Sequence, residues 1–432
     1  MPFKLIISLF LLLVLGCQAK PENLTNVPEL IPFHKDGKWG YINKNRKIII
    51  PAKFQGVELF EGDHAFVQVG EKQAVIDKKG NYIISPDYEL GWYSMPFLEG
   101  LSPAKDPKTG LTGYMNKKGQ WEIKPQFNQG FNFSQGVAAV VIEEGKSWVF
   151  INKKGEILSK PRPFSRGDDF YFGMTVIQSI TGQGLVNRYG REVLTPTYGE
   201  VSIRTANLIQ VRNGNDQTSG LVDSTGKELL PMKYNINESQ NGYLSVSAGK
   251  KTGVIDSTGK FVIPLKYERL FLVGDNLALV MDSISEGLDM KVYGHFIDMK
   301  GKAITTTNKF NGIPKRCTEN FCIVEDIKID LTGQSPGLYP EYSFVKLNGE
   351  EITKDKFPDV GFFSDGMAPI NDKNMKMGFI NSSGKIVIKC QYDLKSYRGA
   401  PEFTYFKNGI CLVARDGKSF YIDKAGNEYI AE

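Results

Sequence analysis

Histidine is nearly absent from this chain: three in 432 residues, His34, His64 and His295, far apart in sequence. A zinc centre needs Cys or His ligands grouped at short spacing, so no metal and no cofactor is expected. A large charge of one sign is lacking as well. There are 53 Lys and Arg against 48 Asp and Glu, and 52 against 48 once Lys4 is discounted with the first sixteen residues. The lysines come singly or in pairs inside short motifs (NKKG, DKKG, DMKG). That is the pattern of solvated loop tips, and nucleic acid is excluded as a partner. The common hydrolase signatures Gly-x-Ser-x-Gly and His-Glu-x-x-His are missing. Stretches 220–227 and 253–260 imitate a phosphate loop, but five residues separate their glycines instead of four, and Glu228 or Phe261 stands where Ser or Thr is required.

What is present begins with an export signal. Lys4 precedes the apolar run IISLFLLLVL, whose roughly ten residues are half of the about 20 needed to span a bilayer. Val14, Leu15, Gly16 and Cys17 then resemble the lipobox of bacterial lipoproteins. The resemblance implies cleavage after residue 16, acylation of Cys17, and anchoring to a membrane through that lipid. Gln18 after the cysteine favours the outer membrane, and residues 17–33 read as anchor and tether. Of the other cysteines, Cys317 and Cys322 are close enough to pair locally, which leaves Cys390 and Cys411 as the remaining disulfide candidates of an exported protein.

Residues 34–432 are repetitive. DSTGKELLPMKY at 223–234 returns as DSTGKFVIPLKY at 256–267, and GYINKNRKIIIP, GYMNKKGQWEIKP and GFINSSGKIVIK are further copies. Their Asp or Asn falls at 43, 77, 116, 152, 187, 223, 256, 298, 381 and 423. A degenerate copy fits FVKLNGEEI from Phe344, inside a blurred stretch at 305–360. A second half-motif, Phe-x-x-Gly-x-Ala-x-Val, begins at Phe60, Phe97, Phe133 and Phe363. Runs such as Tyr-Ile-Asn and Lys-Ile-Ile-Ile hold the β-branched and aromatic residues that suit strands. Between them, Asp-x-x-Gly is turn chemistry: the side-chain oxygen accepts backbone N–H bonds and glycine takes the left-handed conformation. The sequence predicts an all-β tandem array of ten to eleven short antiparallel meanders, each too small to bury its apolar face alone. Eleven units exceed the usual four to eight blades of a propeller, so an open, superhelical array, or two arcs meeting near 305–360, is favoured over a single β-propeller-like closed one.

LysTrpGlyTyrIle at 38–42 resembles the hallmark of the bacterial WG repeat family, Trp-Gly-Tyr-Ile-Asp-x-x-Gly, although Asn45-Arg46 stand where its glycine is expected. Other copies have Thr112, Thr252 or Met377 in place of the tryptophan. The resemblance covers most of the chain. It implies an exported or envelope-associated array and gives no catalytic residues.

The residues themselves offer little chemistry. Asp168-Asp169 and Glu143-Glu144 are neighbours whose side chains point apart on a strand, which suits solvation and not a facing acid and base pair. His64, His295 and the fixed aromatics read as packing residues. The expected function is therefore non-enzymatic: a membrane-anchored surface for a protein or glycan partner, with the interruption at 305–360 as a place where binding residues could gather. The alternative is a glycan-processing envelope enzyme with carboxylates converging in a groove.

Overall fold

The computed structural model describes residues 27–430 apart from stretches at 91–96, 144–146, 161–169, 215–217, 274–275, 287–288, 305–309, 312, 331–336 and 398–399. Residues 1–16, Cys17 and most of the tether lie outside the described residues. So do Glu144, Asp168 and Asp169.

Eleven antiparallel meanders follow one another along the chain. Meander 1 is Ile31–Lys35, Lys38–Ile42 and Ile48–Phe54. Its first strand takes up three residues that the sequence alone assigns to the tether. Meander 2 spans 56–84, meander 3 spans 101–127, meander 4 spans 129–152 and meander 5 spans 174–198. Meanders 6 and 7 share one long strand, Glu228–Gln240, and together span 200–267. Meander 8 spans 269–311, meander 9 spans 313–346, meander 10 spans 367–393 and meander 11 spans 410–429.

The blurred stretch contributes a sheet, as a degenerate repeat would: Ile313–Thr318, Phe321–Asp330 and Gly337–Lys346 pair in order as meander 9. The motif fades there because Lys346 stands at the anchor position, while two strands of ten residues stretch the spacing without abolishing the unit.

Each motif residue has a local reason. All ten Asp and Asn anchors accept backbone N–H bonds from the residues two and four further on; at Asp77 both are 2.9 Å, from Lys79 and Asn81. The same arrangement holds from Asn43 to Asp423. In the first copy Arg46 occupies the left-handed conformation itself, with φ 63°, so the turn forms without its glycine.

The glycine before the aromatic answers a different need. At Gly40 the register jumps from Trp39 opposite Phe54 to Tyr41 opposite Ile50, so the third strand bulges across the second. A Cβ there would lie 2.4 Å from the Ile50 carbonyl oxygen, and 2.5 Å from that of Ile123 at Gly113.

Consecutive meanders pack face to face. Tyr41, Ile50 and Phe54 of the first meet Ala65, Val67 and Ile76 of the second, and the pattern continues round the molecule. The half-motif phenylalanine supplies an edge-to-face aromatic pair across these joints: Tyr41 with Phe60, Tyr114 with Phe133, Phe150 with Phe170 and Phe379 with Phe406. Such pairs add about 1 kcal/mol beyond the area that they bury.

The array does not stay open. Ile31, Phe33 and Ile42 of meander 1 form one buried cluster with Ile410 and Tyr429 of meander 11, against which Val27 and Tyr421 pack. Eleven meanders thus close into a ring, contrary to the expectation from repeat number. Each sheet is separate, so no hydrogen-bonded barrel runs around it. An open array would leave an apolar face bare at both ends. Closure covers both with each other, at about 2 kcal/mol for each large side chain removed from water.

Candidate functional site

Strands of a meander alternate in direction, so its turns fall at two ends of the ring. At one end lie the Asp/Asn-x-x-Gly turns and the Phe-x-x-Gly turns; at the other lie the hairpins between the first two long strands, such as 70–71 and 106–111.

The first end is laced together. Glu99, in the Phe-x-x-Gly turn of meander 3, has φ 54° and extends its side chain to the next meander. There its Oε2 accepts the Gly136 N–H at 2.9 Å and pairs with the Lys153 ammonium at 3.1 Å. Burial pushes this carboxyl up, but the Gly136 hydrogen bond and the lysine outweigh that effect and hold it below the usual glutamate range. Gln135 takes the Gly173 N–H in the same way, and Arg188 donates to the Gln135 carbonyl at 2.7 Å. Glu319 accepts from Asp365 and Gly366 at 2.7 and 2.8 Å. Asp365 in turn accepts from Gly409.

The first lysine of several NKKG-type turns, at Lys78, Lys153 and Lys424, is therefore a strap between meanders as well as a turn residue, and at Lys424 the strap is largely covered. The polar residue before each turn glycine was the available signal. It carries no meaning until the next turn is known to lie beside it.

The other end holds a cleft of about 860 Å³ between meanders 2 and 3. Its walls are the edge strand Gly56–Val57 with Glu58, the hairpin residues Glu71, Lys72 and Gln73, the connection Asp87–Leu90, and Lys105–Pro107 with Gly110. Phe66 and Tyr88 offer ring surface, and Gln68 and Gln73 offer amides. Tyr88 is steadied edge-to-face by Trp121 at 5.7 Å.

Five carboxylate residues against two lysines make the lining acidic: Glu58, Glu71, Asp87, Glu89 and Asp106 against Lys72 and Lys105. Three of the five have local tasks. Glu89 pairs with Lys105 at 3.5 Å, Asp87 accepts from the Ser85 hydroxyl at 2.8 Å, and Asp106 accepts from Lys108 N–H and the Thr109 hydroxyl. The side chains of Glu58 and Glu71 make no hydrogen bond or ion pair among the described residues, so they are the two disposed to meet a ligand. Nothing in the repeat marks these positions, because the cleft draws on hairpins and connections that vary from copy to copy.

The residues singled out from sequence are dispersed. Cys317 and Cys322 face each other across two paired strands and form a disulfide. Cys390 and Cys411 do not pair: both are free thiols, one packed in the core between meanders 9 and 10, the other in the core between meanders 10 and 11. The sheet of meander 10 stands between them. Burial pushes Cys390 up to about 11 and Cys411 up to about 12, so both stay protonated at neutral pH. His64 is buried against Phe97, with ring centroids 5.1 Å apart, and His295 lies on a strand of meander 8, so the two are not brought together. Among the described residues, no three His, Cys, Asp or Glu are grouped as metal ligands.

Several solved structures are loosely similar in shape. A eukaryotic initiation factor matches over 76% of this chain and 96% of its own, with 12% identity and a TM-score of 0.38. BamB from Moraxella catarrhalis matches over 77% and 99%, with 10% identity and a TM-score of 0.28. Kluyveromyces lactis Hsv2 matches over 66% and 96%, with 10% identity and a TM-score of 0.29. All are too distant to carry function across. No curated protein matches the chain. The family model of the WG containing repeat matches residues 39–72, 113–146, 253–282, 342–374 and 377–418. Four of those segments contain the overlain glycine of the unit, Gly40, Gly113, Gly253 and Gly378, and the remaining one, 342–374, recovers the copy displaced in meander 9. The chain thus carries WG containing repeats at five places along its ring.

Proposed function

We propose that this protein is a non-enzymatic binding or scaffold protein of the bacterial envelope, held at a membrane, with the outer membrane favoured, by lipid on Cys17. The cleft between meanders 2 and 3 receives its protein or glycan partner. The observation that carries the binding role is that cleft. It combines aromatic surface (Phe66, Tyr88), amides (Gln68, Gln73) and two unengaged carboxylates (Glu58, Glu71) at the end of the ring opposite the lysine straps. Rings stack on sugar faces while amides and carboxylates take hydroxyl or amine donors, and an acidic lining favours a cationic ligand.

Titration calorimetry with chitosan oligomers, whose amines are protonated, and with their neutral N-acetylated counterparts tests the glycan form of this reading. Binding of the cationic series, weakened by Glu71→Gln and by Tyr88→Ala, is expected. Absence of heat from both series would leave a basic protein segment as the ligand to pursue. Cell fractionation with a high-salt wash tests the anchor: the wild type should stay on the membrane through the wash while Cys17→Ala is released, and retention of Cys17→Ala through it would overturn lipid anchoring.

One observation favours the enzymatic alternative, namely the convergence of five carboxylate residues on one cleft. Release of shorter oligomers during the same titrations, abolished by Glu58→Gln or Glu71→Gln, would replace the binding reading with glycan hydrolysis.

A further inference from the structure

Ring closure sorts the lysines by end and by arc. The Asp/Asn-x-x-Gly turns of meanders 1 to 5, at 43–47, 77–81, 116–120, 152–156 and 187–191, hold eleven Lys and Arg against Asp77 and Glu156. The corresponding turns of meanders 6 to 11, at 223–227, 256–260, 298–302, 346–350, 381–385 and 423–427, hold seven against five carboxylates. Nearby carboxylates reduce the first arc without reversing it. Among the described residues, Glu29 and Asp63 are taken by Lys78, and Glu99 by Lys153; Glu61, Glu122 and Glu192 are the others. Nine cations remain exposed with no salt bridge among the described residues, among them Lys44, Lys79, Lys117, Lys118, Lys154 and Arg188. A net charge near balance over the whole chain conceals this arc.

Two further observations specify what the arc meets. Its last meander presents exposed aromatics at the same end: Tyr171 (55% exposed) and Phe172 (53%) on its Phe-x-x-Gly turn, Tyr189 (61%) between Arg188 and Gly190 on its Asn-x-x-Gly turn. Aromatic rings beside cations, unsupported by any core, are the composition of a surface that rests in the headgroup layer of a bilayer. The chain also enters the ring at this end. Glu29 bonds Lys78 of the turn at 77–81, at 2.8 Å, and the first strand then runs away from it. Cys17 lies ten residues before Val27, a reach of at most about 35 Å. A lipid there would hold this end, and not the cleft end, toward the membrane.

We infer that the turn end of meanders 1 to 5 is a docking surface for anionic phospholipid headgroups, with Phe172, Tyr171 and Tyr189 seated at the interface. The site stands on charge and exposed aromatics independently of acylation. The orientation it implies rests on the anchor proposed above, and leaves the acidic cleft facing away from a like-charged surface.

The test uses the full chain carrying Cys17→Ala, so that no lipid contributes. Co-sedimentation with phosphatidylcholine vesicles is compared with vesicles that also contain phosphatidylglycerol. Binding only to the anionic vesicles, loosened by added salt, is expected. Each neutralised lysine near such a surface costs about fivefold in affinity, so Lys79→Gln, Lys118→Gln and Lys154→Gln together should weaken binding about a hundredfold. The same number of changes on the other arc, Lys227→Gln, Lys260→Gln and Lys385→Gln, should leave it unaltered, which also controls for folding. Phe172→Ala with Tyr189→Ala should weaken binding while leaving its salt dependence in place. Equal binding to neutral vesicles, indifference to the first triple variant, or tighter binding to duplex DNA or heparin than to anionic vesicles would overturn the proposal. Because acylation is absent throughout, failure here leaves the Cys17 anchor standing, and retention of Cys17→Ala in the cell membrane fraction leaves the docking surface standing.

Discussion

Asp365 and Lys424, fifty-nine residues apart, are joined by a 2.8 Å ion pair in which the lysine side chain is only 14% exposed. The other oxygen of Asp365 accepts the Gly409 N–H at 2.6 Å, so one carboxylate ties meander 10 to two turns of meander 11. Asp365→Ala removes both bonds and places alanine in the left-handed region at φ 55°. It is expected to cost about 1–3 kcal/mol. Asp365→Asn keeps an acceptor and tolerates that backbone, so it should cost less. Urea unfolding of the three proteins checks the order.

Glycine in the turns serves two purposes that substitution can separate. Gly417 has φ +73° with open space around its missing Cβ, whereas a Cβ on Gly119, at φ +72°, would sit 2.3 Å from the Ile83 carbonyl of the preceding meander. Gly417→Ala should cost about 1 kcal/mol, the backbone penalty alone. Gly119→Ala should cost clearly more, because the joint between meanders must open. A difference in melting temperature between the two variants measures that joint, and equal values would remove it.

Closure makes distant residues neighbours. Phe33→Ala and Ile410→Ala should each cost about 2–5 kcal/mol. Their effects should be non-additive by more than about 0.5 kcal/mol, because the two side chains share one cluster. Additivity in the double-mutant cycle would describe an open array.

Acid should loosen the turns. Thr225 and Lys227 hydrogen bonds hold Asp223 below the usual aspartate range, and those of Lys302 and Lys300 do the same for Asp298. Asp256 is lowered as well, its hydrogen bonds to Thr258 and Lys260 outweighing the effect of burial. A carboxyl lowered in the folded state stabilises it above the unfolded value, about 4, and that contribution is lost as pH falls through the lower native value. Melting temperature should therefore fall below about pH 4. Asn fills the same position in the turns at 43, 116, 152, 187 and 381 without a charge. The combined change Asp223→Asn, Asp256→Asn and Asp298→Asn should accordingly flatten the acid slope while the turns persist.

Much of the architecture is legible along the chain because its causes are local. An Asp or Asn side chain reaches N–H groups two and four residues on whatever lies beyond, and a strand of Tyr, Ile and Val reads as a strand before its partner is known. The period of the anchors, the all-β class and the packing role of the aromatics follow from these alone. The angle between one meander and the next does not. It is set where Gly119 presses on the Ile83 carbonyl and Phe133 stands edge-on to Tyr114, and small rotations there decide between an open band and a ring. Closure, the straps at Glu99 and Asp365, the acidic cleft and the basic arc all depend on that angle. Sequence spacing counts charges and glycines along a line, whereas the tertiary structure decides which of them share a face.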